Sequence, residues 1–180
     1  PAEAESTFSK PMIEQGNSSE IAARHQHPET REALRAALLQ LVQTARHELV
    51  VAAPALDAAL WNGVAMGQAL NRLISSHPRN RIRVVVEDSE HFLATCVRLV
   101  ELARRLSDLV LVRRLGEPHR GLNQMFAVAD RGSCLLQMDI GMIDATLDLD
   151  TPRVAAPLAA RFDEIWEATD PLPGLHGFRL

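Results

Sequence analysis

Three amphipathic stretches, each followed by a short apolar run, fill most of the first two thirds of the chain. The first stretch covers residues 28–46 and repeats large apolar residues at helical spacing. The next two begin after predicted N-caps at Asp57 and Ser89. The apolar runs, each a predicted strand, cover residues 49–53, 82–86 and 109–112. Successive helix–strand units require right-handed crossovers, so they predict parallel strands with helices on both faces.

The pattern changes in the second half, where two apolar runs flank the polar turn at residues 130–133. That arrangement predicts a hairpin. The remaining predicted elements are strands at 125–129, 134–138 and 145–149 and a last helix after Pro152. Pro157 either kinks this helix or marks its true start. We therefore predict an α/β fold with a mixed, mostly parallel sheet covered by helices on both faces.

The first 27 residues differ from the rest because they mix Glu, Ser, Gln and Pro without a sustained apolar period. Such composition is typical of a flexible arm or linker. The chain has 180 residues, 47% of them hydrophobic, which is enough for one self-supporting core. We predict an arm over residues 1–27 and a single domain over 28–180.

Charge and aromatic content argue against a broad nucleic-acid surface. The formal net charge is -4, and Lys10 is the only lysine among 19 basic residues. There are 5 Phe, 2 Trp and no Tyr, too few rings for the base-stacking platforms of RNA-binding folds. The sequence therefore carries no strong nucleic-acid signal.

The sequence also predicts the cellular compartment. It contains no apolar run long enough to span a bilayer and no secretory signal at its start, so we expect a cytoplasmic protein without a transmembrane segment. Cys96 and Cys134 lie far apart in apolar surroundings, which predicts two buried thiols. The sequence shows no cofactor-binding or metal-binding motif, and we expect neither group.

Two short segments point to a family. Residues 123–130 read Asn-Gln-Met-Phe-Ala-Val-Ala-Asp and enter the polar turn, and residues 162–167 read Phe-Asp-Glu-Ile-Trp-Glu. Together with the element order over 28–170, they resemble a half-size unit of the phospholipase D superfamily, in an uncharacterised bacterial subgroup. The resemblance implies a phospholipase D-like fold.

The catalytic motif of that family, His-x-Lys-x-x-x-x-Asp, is degenerate in this chain. Asn123 stands at the His position and Met125 at the Lys position, whereas Asp130 is retained. Residues 137–140 stand where the family has Gly-Ser-x-Asn. The family reaction uses a histidine nucleophile, a histidine acid and lysines that balance phosphoryl charge. The amide of Asn123 and the thioether of Met125 can perform none of these roles. The resemblance therefore implies a catalytically inactive domain.

Four polar residues around the motif are candidate ligands for a phosphate-containing molecule in the ancestral cleft. They are Asn123, Asp130, Arg120 and Arg131. Arginine binds phosphate through two parallel hydrogen bonds. For Asp130 a second interpretation is structural, because a carboxylate at such a turn commonly accepts backbone amides.

Two functions remain open from the sequence. The leading one is an inactive phospholipase D-like domain that serves as a binding or protein-interaction module. The resemblance implies a homodimer, because half-size members of the family pair across the catalytic cleft. The alternative is a divergent phosphodiesterase or phosphotransferase that uses His119 with the neighbouring arginines.

Overall fold

The computed structural model describes residues 20–172 and 174–175, and the strands of this part form one eight-stranded sheet. The strands are β1 (His25–Gln26), β2 (Glu48–Ala53), β3 (Arg81–Val86), β4 (Val110–Arg114), β5 (Met125–Ala129), β6 (Ser133–Gln137), β7 (Ala145–Asp148) and β8 (Asp170–Pro171). The helices are α1 (Arg31–Thr44), α2 (Ala58–Trp61), α3 (Val64–Ser76), α4 (Ser89–Thr95), α5 (Val97–Arg105) and α6 (Pro152–Glu167). A 3₁₀ turn covers Glu117–His119, and residues 20–24 are helical.

The strand order is β1-β7-β6-β5-β2-β3-β4-β8. Strands β2, β3 and β4 are parallel, and every other neighbouring pair is antiparallel. The predicted mixed sheet is confirmed, but among the described strands only two of the seven pairs are parallel, so the sheet is not mostly parallel as predicted. Antiparallel pairing continues on both sides of the three parallel strands. The hairpin strand β5 pairs with β2 on one side, and the two-residue edge strand β8 pairs with β4 on the other.

Alternate residues along the strands divide the core between the two faces of the sheet. Val51 and Val84 pack with helices α1 to α5 on one face. Val50 and Phe126 pack on the other face against α6, which contributes Phe162. The prediction that helices cover both faces is therefore confirmed.

The first two predicted helices differ from the structure in their limits. The first begins at Arg31, because Thr30 and not Pro28 stands at its start and accepts a backbone amide with its side chain. The cap at Asp57 is confirmed. It starts only the four-residue α2, and α3 begins again after Gly63. The single helix predicted after Asp57 is therefore two helices, α2 and α3.

The third predicted helix is also interrupted. Its cap is Asp88, whose carboxylate accepts the amide of His91 at 2.9 Å, and not Ser89. The helix breaks at Cys96, which leaves helical geometry between α4 and α5. The last helix begins at Pro152 and contains Pro157 in its interior, so Pro157 does not mark its start.

The predicted arm lies mostly outside the described residues, which begin at residue 20. Within the described part, His25 and Gln26 pair with Asp148 and Leu147 and add an edge strand to the sheet. The boundary near Pro28 stays a prediction.

The end of α6 lies close to the segment that follows β4. A Cβ atom on Gly116 would collide with the carbonyl oxygen of Ala168, the residue that caps α6. This close approach brings β8 alongside β4, where Asp170 pairs with Arg114. Position 116 therefore has room only for hydrogen.

Candidate functional site

The segment 123–130, where the sequence predicts a degenerate phospholipase D motif, begins near the ends of parallel strands β2 and β3. Strand β5 starts beside the end of β2, and its first residue, Met125, pairs with Gln137 at the end of β6. Ligands of α/β sheets commonly bind outside the carboxyl ends of parallel strands. We call the surface formed by Asn123, Met125 and residues 137–143 the carboxyl-edge face.

Two motif positions of the family remain neighbours on this face. The backbone amide of Ile140, at the position of the Gly-Ser-x-Asn asparagine, donates to the carbonyl oxygen of Asn123 at 3.1 Å. Asn123 itself is exposed. The positions that carry a nucleophile and a polar amide in the family thus carry a neutral amide and an apolar side chain here.

Met125, at the lysine position, is part of the core. It is only 2% exposed and lines a cavity of about 60 Å³ with Leu60, Trp61 and Ile140. Small-molecule sites usually measure about 300–1,000 Å³. The lysine position therefore offers neither a cation nor the space of a typical ligand site.

The loop between β6 and β7 covers this edge with apolar side chains. Four of them are 37–64% exposed. They are Met138, Ile140, Met142 and Ile143. The loop is held by hydrogen bonds: the buried side chain of Gln137 donates to the carbonyl of Met142 at 2.7 Å, and Asp139 accepts the amide of Gly141 at 2.8 Å. A defined turn thus presents the apolar surface.

Asp130, the last residue of the predicted motif, lies at the opposite ends of the strands. Its carboxylate accepts the backbone amides of Arg46, His47 and Glu48, each at 2.8 Å. Seven residues of extended chain separate it from Asn123, or roughly 23 Å. The carboxylate ties the β5–β6 turn to the start of β2.

Arg131 belongs to an ion-pair cluster beneath α6. It pairs with Asp163, which also accepts from Arg83 at 3.0 Å. Arg83 reaches Glu48 at 2.9 Å as well, and its side chain is only 18% exposed. These charges compensate one another, so Arg131 already has an anionic partner within the protein.

The same cluster explains the Phe-Asp-x-x-Trp-Glu pattern. Phe162 and Trp166 stack with ring centroids 5.7 Å apart on the buried side of α6. The Arg83 guanidinium lies 5.0 Å from the Phe162 centroid. One helical turn thus supplies both the apolar contacts and, through Asp163, the ion pair that hold α6 on the sheet.

The other candidate residues stand apart from this cluster. Arg120 pairs with Glu117 at 2.7 Å. A cavity of about 320 Å³ lies beside Arg114 and Arg120, and its lining includes Glu87 but not His119. The structure therefore brings Asp130 and Arg131 together at one end of the strands. It places Asn123 and Arg120 beyond the opposite end.

The two cysteines are buried free thiols, as the sequence predicts. Burial raises the pKa of Cys96. For Cys134, burial together with the nearby charge of Asp148 raises the pKa to about 12. Because the thiolate is the reactive form, neither thiol is an activated nucleophile.

A family model described as a domain of unknown function, DUF7931, matches residues 30–178. The chain belongs to the DUF7931 family. The match covers the whole sheet except β1, together with all six helices α1 to α6. No curated protein matches this DUF7931 chain.

Solved structures show which fold this DUF7931 domain has. Nuc from Salmonella typhimurium, a phospholipase D family member, has a TM-score of 0.52 and 11% identity, over 82% of this chain and 93% of Nuc. Phosphatidylserine synthase from Haemophilus influenzae has a TM-score of 0.57 and 13% identity, over 92% of this chain and 44% of the synthase. The DUF7931 domain thus has a phospholipase D-like fold.

A third similar structure is TrmBL2, an archaeal chromatin protein with a novel mode of DNA binding. Its TM-score is 0.57 with 11% identity, over 88% of this chain and 59% of TrmBL2. The DUF7931 chain therefore spans less than two thirds of TrmBL2 and of the synthase, and these similarities concern the fold alone. Among the described residues, no helix has the length and apolarity needed to cross a membrane.

Sequence reasoning overlooked the apolar loop of the carboxyl-edge face. The sequence alone places the missing Gly-Ser-x-Asn at residues 137–140 and assigns no role to the apolar residues of this loop. The available signal was four large apolar residues among six, interrupted by Gly141, between two predicted strands. A loop of that composition departs from the polar chemistry of ordinary turns.

Proposed function

We propose that this DUF7931 chain is a catalytically inactive phospholipase D-like domain that acts as a protein-interaction module. The observation that carries the proposal is the burial of Met125, which is 2% exposed at the lysine position. A thioether carries no charge to balance a phosphoryl group. Asn123 supplies no nucleophile at the neighbouring position. Loss of such a group typically removes several orders of magnitude of rate.

The apolar loop supports a binding role for the carboxyl-edge face. Burying an anion against Met142 and Ile143 would cost desolvation without a compensating charge. Exposed apolar patches instead commonly mark protein–protein contacts. Methionine side chains adapt well to such surfaces because they are flexible and polarisable.

The partner we propose for this face is a second copy of the chain. The resemblance to half-size phospholipase D members favours this arrangement, since their two copies pair across the equivalent edge. In a twofold dimer the same patch meets itself, so Met142 and Ile143 would be covered by their equivalents. Such contacts would remove exposed apolar area from water.

Light scattering of the purified full chain tests the dimer. We expect twice the 19.8 kDa of one chain and a shift toward monomer in the variant M142S/I143S. Val154→Ser is a matched control, because Val154 and Ile143 are both 42% exposed and Val154 lies on α6. A native chain that stays monomeric at high micromolar concentration would overturn the dimer.

The loss of catalysis has its own test. Purified protein is incubated with bis-p-nitrophenyl phosphate, phosphatidylcholine vesicles and DNA, and we expect no turnover of any of them. The alternative enzyme would use His119, and it receives less support because Glu87 beside Arg114 and Arg120 would repel phosphate. Turnover that disappears in His119→Ala would overturn the inactive interpretation and favour the alternative.

A further inference from the structure

A separate groove lies between helices α3 and α5. Its volume is about 410 Å³, and its apolar lining residues are Val64, Leu70 and Leu102. Arg98 and Arg105, two turns apart on α5, also line it. The groove therefore combines one exposed apolar side chain, Val64, with two cationic side chains above the buried Leu70 and Leu102.

Arg98 is held in place by neutral groups. Its backbone amide donates to the side-chain oxygen of Asn62 at 2.9 Å, and its Nε donates to the carbonyl of Asn62 at 3.2 Å. A Cβ on Gly67 would stand 3.3 Å from the Cδ of Arg98. Glycine at this position of α3 thus makes room for the arginine stem between the helices.

Arg105 is oriented in the same manner. It donates to the side-chain oxygen of Asn71 at 2.9 Å. Glu101 lies three residues after Arg98 and four before Arg105, a spacing that favours ion pairs. In the part of the chain that the structure describes, Arg83 and Arg131 are paired with acids, whereas Arg98 and Arg105 are held by asparagines. Their positive charge is therefore not cancelled by a salt bridge.

We propose that this groove binds an organic anion in which a phosphate or carboxylate group is joined to an apolar body. Guanidinium groups bind both anions through paired, charge-assisted hydrogen bonds. Val64, which is 58% exposed, would contact the apolar body, and the volume lies within the usual range of small-molecule sites. The proposal concerns a surface other than the carboxyl-edge face and does not rest on the loss of catalysis.

Nuclear magnetic resonance titration of the full chain tests the site with four eight-carbon probes. These are octyl phosphate, octanoate, octanol and octylamine. We expect saturable shifts of the Gly67, Asn71 and Leu102 amides with one or both anions. The anion that binds more tightly identifies the preferred head group. Octanol and octylamine should leave these signals unchanged at the same concentrations.

Variants separate a built site from general charge attraction. Arg98→Gln and Arg105→Gln should each weaken anion binding about tenfold or more, because each removes a charge-assisted hydrogen bond. Arg104→Gln is the matched control, since Arg104 is on the same helix but does not line the groove. Glu101→Gln should strengthen binding by removing the one carboxylate of the lining.

Three results would overturn the proposal. One is the absence of saturable shifts at the groove with either anion. Another is equal binding of octanol, which would indicate an apolar contact only. The third is an equal loss of affinity in Arg104→Gln and Arg98→Gln. Unchanged thermal unfolding of the variants would establish that each loss concerns binding and not folding.

Discussion

The carboxylate of Asp130 accepts the backbone amide of His47, 83 residues earlier in the chain, at 2.8 Å. It also accepts the amides on either side, so one side chain satisfies three donors where α1 leads into β2. Asp130 itself has a φ of 52°, in the left-handed region that aspartate tolerates at turns. Asp130 is therefore a structural anchor at the ends of the strands opposite Met125.

Replacement of Asp130 should destabilise the domain. In Asp130→Ala three backbone amides lose their acceptor, and since the site is exposed, water replaces part of the bonding. We expect a loss of about 1–3 kcal/mol in the free energy of unfolding, measured in urea. Asp150→Ala is the control, because Asp150 also has a positive φ but its carboxylate only faces Arg24 at 3.5 Å. Equal losses in both variants would contradict the anchoring role.

The Arg83–Asp163 pair should contribute measurably to the attachment of α6. In Arg83→Met the carboxylates of Glu48 and Asp163 lose a largely buried partner, and we expect a loss of about 2 kcal/mol. A double-mutant cycle with Asp163→Asn should give a coupling of at least about 0.5 kcal/mol. Arg153→Met, on the exposed side of α6, should have little effect. A coupling near zero would contradict a stabilising role for the Arg83–Asp163 pair.

A lysine at position 125, where the predicted motif would have one, should harm the fold without producing activity. Met125→Lys places an ammonium group at a position that is 2% exposed, and we expect a loss of about 2–4 kcal/mol. Val154→Lys, at a position 42% exposed on α6, is the control and should be nearly neutral. The double variant N123H/M125K should not hydrolyse bis-p-nitrophenyl phosphate, because Ile140 still stands at the asparagine position. Turnover by the double variant would contradict this prediction.

Cys134 should resist thiol reagents in the folded state. Burial and the charge of Asp148 raise its pKa from 9.0 to about 12, so the thiolate is scarce at neutral pH. We expect neither cysteine to react rapidly with Ellman's reagent at pH 8, and both to react in 6 M guanidinium, read by absorbance. Since the folded pKa is the higher one, Cys134 favours folding below pH 9 and this contribution falls as pH rises toward 12. Rapid reaction of the native protein would contradict the burial.

The sequence was most informative where a pattern is local. The hairpin around residues 130–133 and the apolar runs of β2 and β3 follow from turn chemistry and periodicity, and the structure confirms them. The breaks at Gly63 and Cys96 were not visible, because helical periodicity continues across both positions. These two breaks depend on tertiary packing, since α2 and α4 are too short to be stable as isolated helices.

The site was harder to predict because its contacts are long-range. Arg83 and Asp163 are separated by 80 residues, and nothing in either neighbourhood indicates the pair. The groove of Arg98 and Arg105 depends on Asn62, Gly67 and Asn71, which lie more than 30 residues earlier. The sequence shows that these arginines are present, but it does not show whether each one is hydrogen-bonded to a carboxylate or to an amide.

Gly116 has a consequence for how this family can diverge. Because even a methyl group there would collide with the carbonyl oxygen of Ala168, no other amino acid fits at position 116 while the end of α6 keeps this position beside β4. Aligned relatives that keep this C-terminal route should show an invariant glycine. Where another amino acid occupies the column, we expect a lengthened or shortened connection after the last helix.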